Sequence, residues 1–125
     1  MIKLLYLAAG GAIGTVSRYL LSTLFSGQNT VSLFPWGTFC VNMAGSFIIG
    51  IVGALAIVND SQTDSKIFIM AGLLGGFTTF SSLAFESVML FRSGHAIAAI
   101  TYVLTTNILG VLLAFLGYGI GNHLN

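Results

Sequence analysis

The sequence predicts an all-helical membrane protein with a single domain over residues 1–125. Hydrophobic residues make up 56% of the chain and charged residues only 6%. Soluble domains carry about 25% charged residues, because their surfaces face water. Four apolar runs are long enough for helices that cross a bilayer core about 30 Å thick, which takes about 20 residues. The runs also lack the alternation of apolar and polar residues that is typical of membrane-barrel strands.

Short polar loops join the four runs, so too few residues remain outside the spans to form a second domain. The first run continues to Leu24 without a convincing cleavage site, and we expect a retained span rather than a signal peptide. The second run begins after Pro35, a residue that suits the first turn of a helix. The predicted spans are about Leu4–Leu24, Trp36–Val58, Ile67–Phe91 and Ala96–Ile120.

The third run is interrupted by Gly75–Ser82, which reads GGFTTFSS. Irregular backbone at membrane depth is tolerated only where it is buried in protein or lines a watery cavity. We expect an unwound turn at Gly75 and Gly76, followed by a restarted helix. Carbonyls freed from the first half could hold a cation, and the N-terminus of the second half favours an anion. The same residues also fit a kink without a ligand. The residues expected to cap the restarted helix are Thr78, Thr79 and Ser81.

Positive charges are balanced across the predicted topology. Lys3 and Lys66 fall on one side of the membrane, and Arg18 and Arg92 fall on the other. Because the Lys/Arg bias sets orientation, a balanced chain is expected to insert both ways round. Four short helices are also too few to enclose a polar pathway and still present only apolar groups to lipid. Both observations favour an antiparallel homodimer of dual topology.

Two spans carry polar or small residues at helical spacing. Residues four apart share a helical face, and polar groups inside a span tend to mark pathways or helix contacts. The pattern therefore fits polar tracks beside a pore, and it fits ordinary interhelical hydrogen bonds of about 0.6 kcal/mol each. The residues are Thr38, Asn42 and Ser46 in the second span, and Tyr102, Thr106 and Gly110 in the fourth, with Asn107 about a quarter-turn away.

Glu86 is the only carboxylate placed in or near a span interior. It fits a proton or cation site, and it equally fits a surface pair with Arg92. No metal-ligand cluster is expected because His95 and His123 are isolated, and Cys40 alone cannot form a disulfide within the chain. No nucleophile–base arrangement stands out, and a net charge of +1 lacks the basic footprint of a nucleic-acid binder. The sequence argues against an enzyme and against a nucleic-acid partner.

Three glycine-containing motifs follow one another: Gly10–Gly14 leading to Arg18, Gly37–Asn42 leading to Ser46, and Gly75–Ser81 leading to Glu86. In this order they resemble the Fluc (CrcB) family of fluoride channels, and the resemblance covers the whole chain. It implies passive export of fluoride across the plasma membrane of a microbe by an antiparallel dual-topology homodimer with two pores. The implied partners are fluoride, the lipid bilayer and a structural sodium ion.

The resemblance also implies roles for individual residues. It implies a fluoride pore lined by Asn42, Phe80, Tyr102 and Thr106, and a charged vestibule with Arg18 and Glu86. A central sodium ion would bind the backbone carbonyls of Gly75 and Thr78 from each subunit. A strongly hydrated anion needs donors in place of its lost water. That requirement adds the hydroxyls of Thr38, Thr79 and Ser81 to the pore.

Leu83 departs from the family pattern, which has a second pore phenylalanine three residues after the first. Aromatic edges carry partial positive charge, so Phe80 can meet an anion edge-on and Leu83 cannot. Phe85 is about 140° away from Phe80 around the helix and does not replace it. We expect Phe80 and the hydroxyls to carry more of the anion coordination.

Two other functions fit a small membrane protein. A proton-coupled multidrug exporter can also be an antiparallel dimer of four short helices. It needs an ionisable residue deep in its first span, where this chain has only apolar, glycine and hydroxyl residues before Arg18. A non-transporting assembly protein would use Asn42 and Thr106 only to bond helices together. A measurement of ion flux distinguishes the three functions.

Overall fold

The computed structural model describes residues 1–26, 33–58 and 64–124, and every regular element in these ranges is helical. Four segments are long and apolar enough to cross a membrane: Ile2–Ser26, Trp36–Ala56, Ile67–Arg92 and Ala96–His123. The all-helical fold with four membrane-spanning segments is therefore confirmed. The elements are α1 (Ile2–Ser26), α2 (Trp36–Val58), α3 (Asp64–Lys66), a π-helix (Ile67–Leu74), α4 (Gly75–Phe77), α5 (Phe80–Arg92) and α6 (Ala96–His123).

The helices pack closely because glycines line their contacts. The most extensive packing joins α2 to α6, and α1 packs mainly against the π-helix. A methyl group on Gly117 of α6 would collide with the backbone of Phe47 in α2. A methyl group on Gly14 of α1 would likewise collide with the carbonyl of Leu73. Small residues therefore let these backbones meet, as in other membrane bundles.

The third span is irregular along its first half. Lys66 ends α3 and donates to the carbonyl of Ala56 at 2.5 Å, which ties the start of this span to the end of α2. The next eight residues, Ile67–Leu74, form a π-helix. Such segments are rare and occur frequently at functional sites.

Helical geometry stops at Thr78 and Thr79, whose backbones are extended, and resumes at Phe80. Gly75 is helical, with φ −64° and ψ −36°, and α4 continues through Gly76. The predicted unwound turn at Gly75 and Gly76 is therefore wrong. A methyl group on Gly76 would meet the carbonyl of Gly11 at 2.7 Å, so this glycine allows close packing with α1.

A tight turn connects α5 to α6. Gly94 has a positive φ of 86°, the His95 amide donates to the carbonyl of Leu90, and the Gly94 amide donates to that of Phe91. These two bonds make a Schellman motif, which ends a helix with a left-handed glycine. The turn returns the chain antiparallel, so that α5 and α6 lie side by side.

The buried centre is small, because most large apolar side chains face outward as expected in lipid. One cluster joins α5 to α6 and consists of Leu83, Leu90, Ala99 and Tyr102. The ring of Phe34, which precedes α2, packs edge-on against Tyr102 with centroids 5.2 Å apart. This cluster fixes one wall of the candidate site.

Candidate functional site

A groove of about 340 Å³ opens between α2, α6 and the interrupted third span. It lies near the middle of α6, within the membrane-spanning part of the chain. The groove combines hydroxyl and amide side chains with aliphatic and aromatic ones. Its lining residues are Asn42, Ser46, Ile49, Thr78, Thr79, Phe80, Leu83, Thr106, Asn107, Gly110, Val111 and Ala114.

Asn42 holds the extended backbone of the third span in place. Its Oδ1 accepts from the Thr79 amide at 2.8 Å, and its Nδ2 donates to the Thr79 carbonyl at 3.0 Å. The amide orientation is fixed because a backbone N–H can only donate and a carbonyl can only accept. One N–H of Asn42 remains for another acceptor. The pore role predicted for Asn42 can draw on that single donor.

Thr79 caps the restarted helix. Its Oγ1 accepts from the Ser82 amide at 3.2 Å, which satisfies one of the free donors at the start of α5. The same oxygen lies 3.2 Å from the hydroxyl oxygens of Ser81 and Ser82. Of the three capping residues predicted from the sequence, Thr79 is the cap. Thr78 instead donates its hydroxyl to the carbonyl of Leu74 at 3.0 Å.

Thr106 carries a buried hydroxyl with no hydrogen-bond partner anywhere in the described ranges. The residue is 6% exposed and lines the groove. An unsatisfied buried hydroxyl costs about 1–3 kcal/mol. A hydroxyl without a partner, on a residue that lines a groove, has a proton to donate to a ligand that reaches it.

Phe80 and Leu83 lie at different depths of the groove. Phe80 is 75% exposed, so its ring projects from the fold. Leu83 is 4% exposed and packs with Tyr102 in the buried cluster. Leu83 therefore forms an apolar part of the groove wall, and Phe80 is the aromatic residue available at its edge.

Glu86 lies in a second polar group, the hydroxyl–carboxylate cluster, which consists of Thr38, Glu86 and Tyr102. The hydroxyls of Thr38 and Tyr102 each donate to the carboxylate at 2.7 Å. The cluster joins α2, α5 and α6, and none of its members lines the groove. Within the described part of the chain Glu86 makes no ion pair with Arg92. The sequence left the partner of Glu86 open, and its contacts here are these two hydroxyls.

The remaining predicted site residues are more dispersed. Ser81 is exposed and outside the groove. Arg18 is half-buried on α1, and no hydrogen bond or ion pair connects it to Glu86 in the ranges that the structure covers. The structure therefore brings Asn42, Thr79 and Thr106 together, and it separates them from the hydroxyl–carboxylate cluster.

Gly75 and Thr78 offer backbone carbonyls at the interruption. In a continuous helix the Thr79 amide would donate to Gly75, but it donates to Asn42. The Ser82 amide would donate to Thr78, but it donates to the Thr79 side chain. Both carbonyls therefore lack their helical donors, and Gly75 lies on the exposed side. Hard cations prefer such oxygen ligands. Elsewhere in the described chain, no group of three His, Cys, Asp or Glu residues could hold a metal.

Two groove residues with polar side chains, Ser46 and Asn107, were not among the residues assigned to the pore. Ser46 continues the four-residue spacing of Thr38 and Asn42, and this signal was visible in the sequence. Asn107 is adjacent to Thr106 and was placed a quarter-turn from the polar face. The groove extends around α6 far enough to include both Thr106 and its neighbour Asn107.

Comparison with known proteins gives a consistent result over nearly the whole chain. Residues 5–118 match a family model described as CrcB-like protein, Camphor Resistance (CrcB). A relative from Roseiflexus sp. (strain RS-1) is 46% identical over 123 residues, covering 98% of each chain. A relative from Thermus thermophilus is 41% identical over 124 residues, covering 99% of this chain and 98% of its own. Each of these two relatives is named as a fluoride-specific ion channel, FluC.

Proposed function

The chain belongs to the CrcB family, and we propose on that basis that it is a fluoride-selective channel of the plasma membrane. The observation that carries the proposal is identity of 41–46% to proteins named as fluoride channels, over at least 98% of both chains. Four membrane-spanning segments agree with it. Transport is passive, because fluoride flows down its own electrochemical gradient and no coupled reaction is needed.

The groove supplies the chemistry that a small anion needs. Fluoride gives up strongly held water when it enters a narrow pore, so the protein must replace that water with donors. The free hydroxyl of Thr106 and the remaining N–H of Asn42 are two such donors. The positively polarised edge of Phe80 adds a third contact. Pore width and lining groups then set selectivity against the larger chloride.

The hydroxyl–carboxylate cluster and Arg18 form the proposed vestibule. Thr38 and Tyr102 each have one hydroxyl proton, and both protons point to Glu86. These hydroxyls serve a passing fluoride by turning from Glu86 to the anion. Arg18 attracts anions toward this end, since an opposite charge raises their local concentration.

A second copy of the chain completes the pore. A single chain leaves the groove open and Phe80 75% exposed in the middle of the membrane. The balance of Lys3 and Lys66 against Arg18 and Arg92 supports insertion in both orientations. An antiparallel homodimer would cover the groove of each chain and give two pores related by symmetry.

A structural sodium ion fits the carbonyls of Gly75 and Thr78. Each chain supplies two oxygen atoms without helical donors, and the exposed position of Gly75 allows a second chain to supply two more. The ion would neutralise converging carbonyl dipoles and hold the two chains together. Sodium should then raise the melting temperature of the dimer more than N-methylglucamine does, because a ligand of the folded state adds to its stability. Equal melting temperatures over a wide concentration range would count against the site.

Anion efflux from liposomes tests the function. Vesicles loaded with potassium fluoride should lose the anion when valinomycin clamps the voltage, and vesicles loaded with potassium chloride should retain it. Equal efflux of both anions would reject a selective pore, and no efflux of either would reject the channel. The rival multidrug exporter predicts uptake driven by a proton gradient without passive fluoride efflux.

A further inference from the structure

Asn107 occupies an unfavourable place for an amide unless it has a polar partner outside the chain. It is the twelfth of the 28 residues of α6, a helix that is membrane-spanning by length and composition. Its side chain is exposed. Polar groups that face hydrocarbon are costly, and those found inside spans usually face a pathway or another helix. Lipid alone is therefore a poor neighbour for Asn107.

The hydrogen bonds of Asn107 leave part of its amide available. Nδ2 donates to the carbonyl of Val103 at 2.7 Å. This contact identifies the nitrogen, because a carbonyl can only accept. The second N–H and Oδ1 have no protein partner in the described ranges. The bond to Val103 thus restrains the carboxamide and leaves one donor free.

The residue that carries this free donor lines the groove. Asn107 lines it beside Thr106, which has the unpartnered hydroxyl, and Phe80 lines it from α5. The hydroxyls of Thr78 and Thr79 in the groove are engaged: Thr78 donates to Leu74, and Thr79 donates to Ser82. The groove therefore has few free donors, and Asn107 supplies one of them.

We propose that Asn107 donates its free amide N–H to the anion in the groove and is a selectivity-determining residue. This inference rests on the proposed channel function. Fluoride concentrates its charge in a smaller volume than chloride, so it gains more from each hydrogen bond and loses more when a donor is removed. Removal of this donor should reduce the ratio of fluoride to chloride permeation.

The test uses three variants of the full chain in liposomes. Asn107→Leu removes the amide and keeps the branching at Cγ, Asn107→Ser retains a smaller donor, and Asn107→Asp presents a carboxylate. Asn122→Leu is the matched control, since Asn122 is an exposed asparagine of the same helix outside the groove. Each variant is assayed for fluoride efflux, chloride efflux, dimer mass and melting temperature.

We expect Asn107→Leu to lower fluoride efflux about tenfold, the scale of one hydrogen bond to a charged group. The fluoride-to-chloride ratio should fall as well, with dimer mass and melting temperature unchanged. Asn107→Ser should recover part of the flux, Asn107→Asp should block it, and Asn122→Leu should match the parent.

Two results would overturn the proposal. Efflux and selectivity at the parent level in Asn107→Leu would mean that the amide does not contact the anion. Loss of the dimer in this variant, with parent-like selectivity in Asn107→Ser and Asn107→Asp, would make Asn107 a bond between chains. A different result, in which the parent itself passes no fluoride, would reject the proposed channel function. It can be distinguished from the two results above because it does not depend on any Asn107 variant.

Discussion

Replacing Thr106 by valine should stabilise the protein and impair the channel in the same variant. Thr106 is 6% exposed, and its buried hydroxyl has no partner in the described chain. Valine keeps the shape of threonine and removes this hydroxyl. An unsatisfied buried hydroxyl costs about 1–3 kcal/mol, so Thr106→Val should raise the free energy of unfolding by about 1 kcal/mol. The anion loses a hydrogen bond of about 1.5–3 kcal/mol, which corresponds to a roughly 10- to 100-fold weaker interaction.

The two effects are measured on the same preparations. Unfolding is followed by titration with sodium dodecyl sulfate at fixed protein concentration, and fluoride efflux is followed in liposomes. Thr105→Val is the matched control, because the neighbouring Thr105 hydroxyl donates to the carbonyl of Thr101 at 2.7 Å and lies outside the groove. This control should leave fluoride efflux unchanged.

The opposite pattern would exclude the Thr106 hydroxyl as a ligand of the anion. If Thr106→Val lowers stability and leaves fluoride efflux at the parent level, the Thr106 hydroxyl serves packing between helices and not the anion. If both threonine variants lower efflux equally, the effect belongs to α6 as a whole.

The remaining site residues give three further predictions. Tyr102→Phe removes one of the two hydrogen bonds to Glu86 and should lower the free energy of unfolding by about 1.5–3 kcal/mol. In a double-mutant cycle, this loss should be smaller when Glu86 is already replaced by Gln. An unchanged loss would mean that Tyr102 acts through packing alone. Leu83→Phe should alter the rate of fluoride efflux and retain selectivity over chloride, whereas Phe80→Leu should reduce fluoride efflux more strongly. Efflux at the parent level from Phe80→Leu would mean that the aromatic edge of Phe80 does not contact the anion. A C-terminal tag should be labelled from both sides of intact membranes, and labelling from one side only would exclude the antiparallel homodimer.

The sequence predicted the spans well because hydropathy depends on local composition. The second span was predicted at Trp36–Val58, and the helix has these bounds. The first and fourth helices extend a few residues beyond the predicted runs, to Ser26 and His123, since helix ends include polar residues that hydropathy does not count.

The sequence placed the unwound turn at Gly75 and Gly76, and the structure has helical backbone there. Glycine permits a helix to unwind, so the local sequence favoured Gly75 and Gly76 as the position of the unwound turn. Extended backbone occurs instead at Thr78 and Thr79, where Asn42 from α2 binds both backbone groups of Thr79. The position of the extended backbone is therefore set by a contact between residues 37 positions apart in the chain. A local sequence pattern contains no information about such a contact.

The sequence named candidate site residues, but it did not indicate which of them contact one another. Resemblance to the family named Tyr102 and Thr106, and the need for hydroxyl donors added Thr38, without indicating which of these residues share a cavity. The structure joins Thr38 and Tyr102 through Glu86, whereas Thr106 lines the groove and makes no hydrogen bond within the described residues. These hydrogen bonds depend on how α2, α5 and α6 pack against one another, so they can be identified only when the arrangement of the helices is known.

The reversal potential of the purified protein in a planar bilayer tests fluoride selectivity most directly. Potassium is held equal on both sides, fluoride is tenfold higher on one side, and chloride is tenfold higher on the other. A tenfold gradient of a monovalent ion corresponds to about 59 mV. A fluoride-selective pore should reverse near the fluoride value. Reversal at zero, or near the chloride value, which has the opposite sign, would mean that the pore is not selective for fluoride.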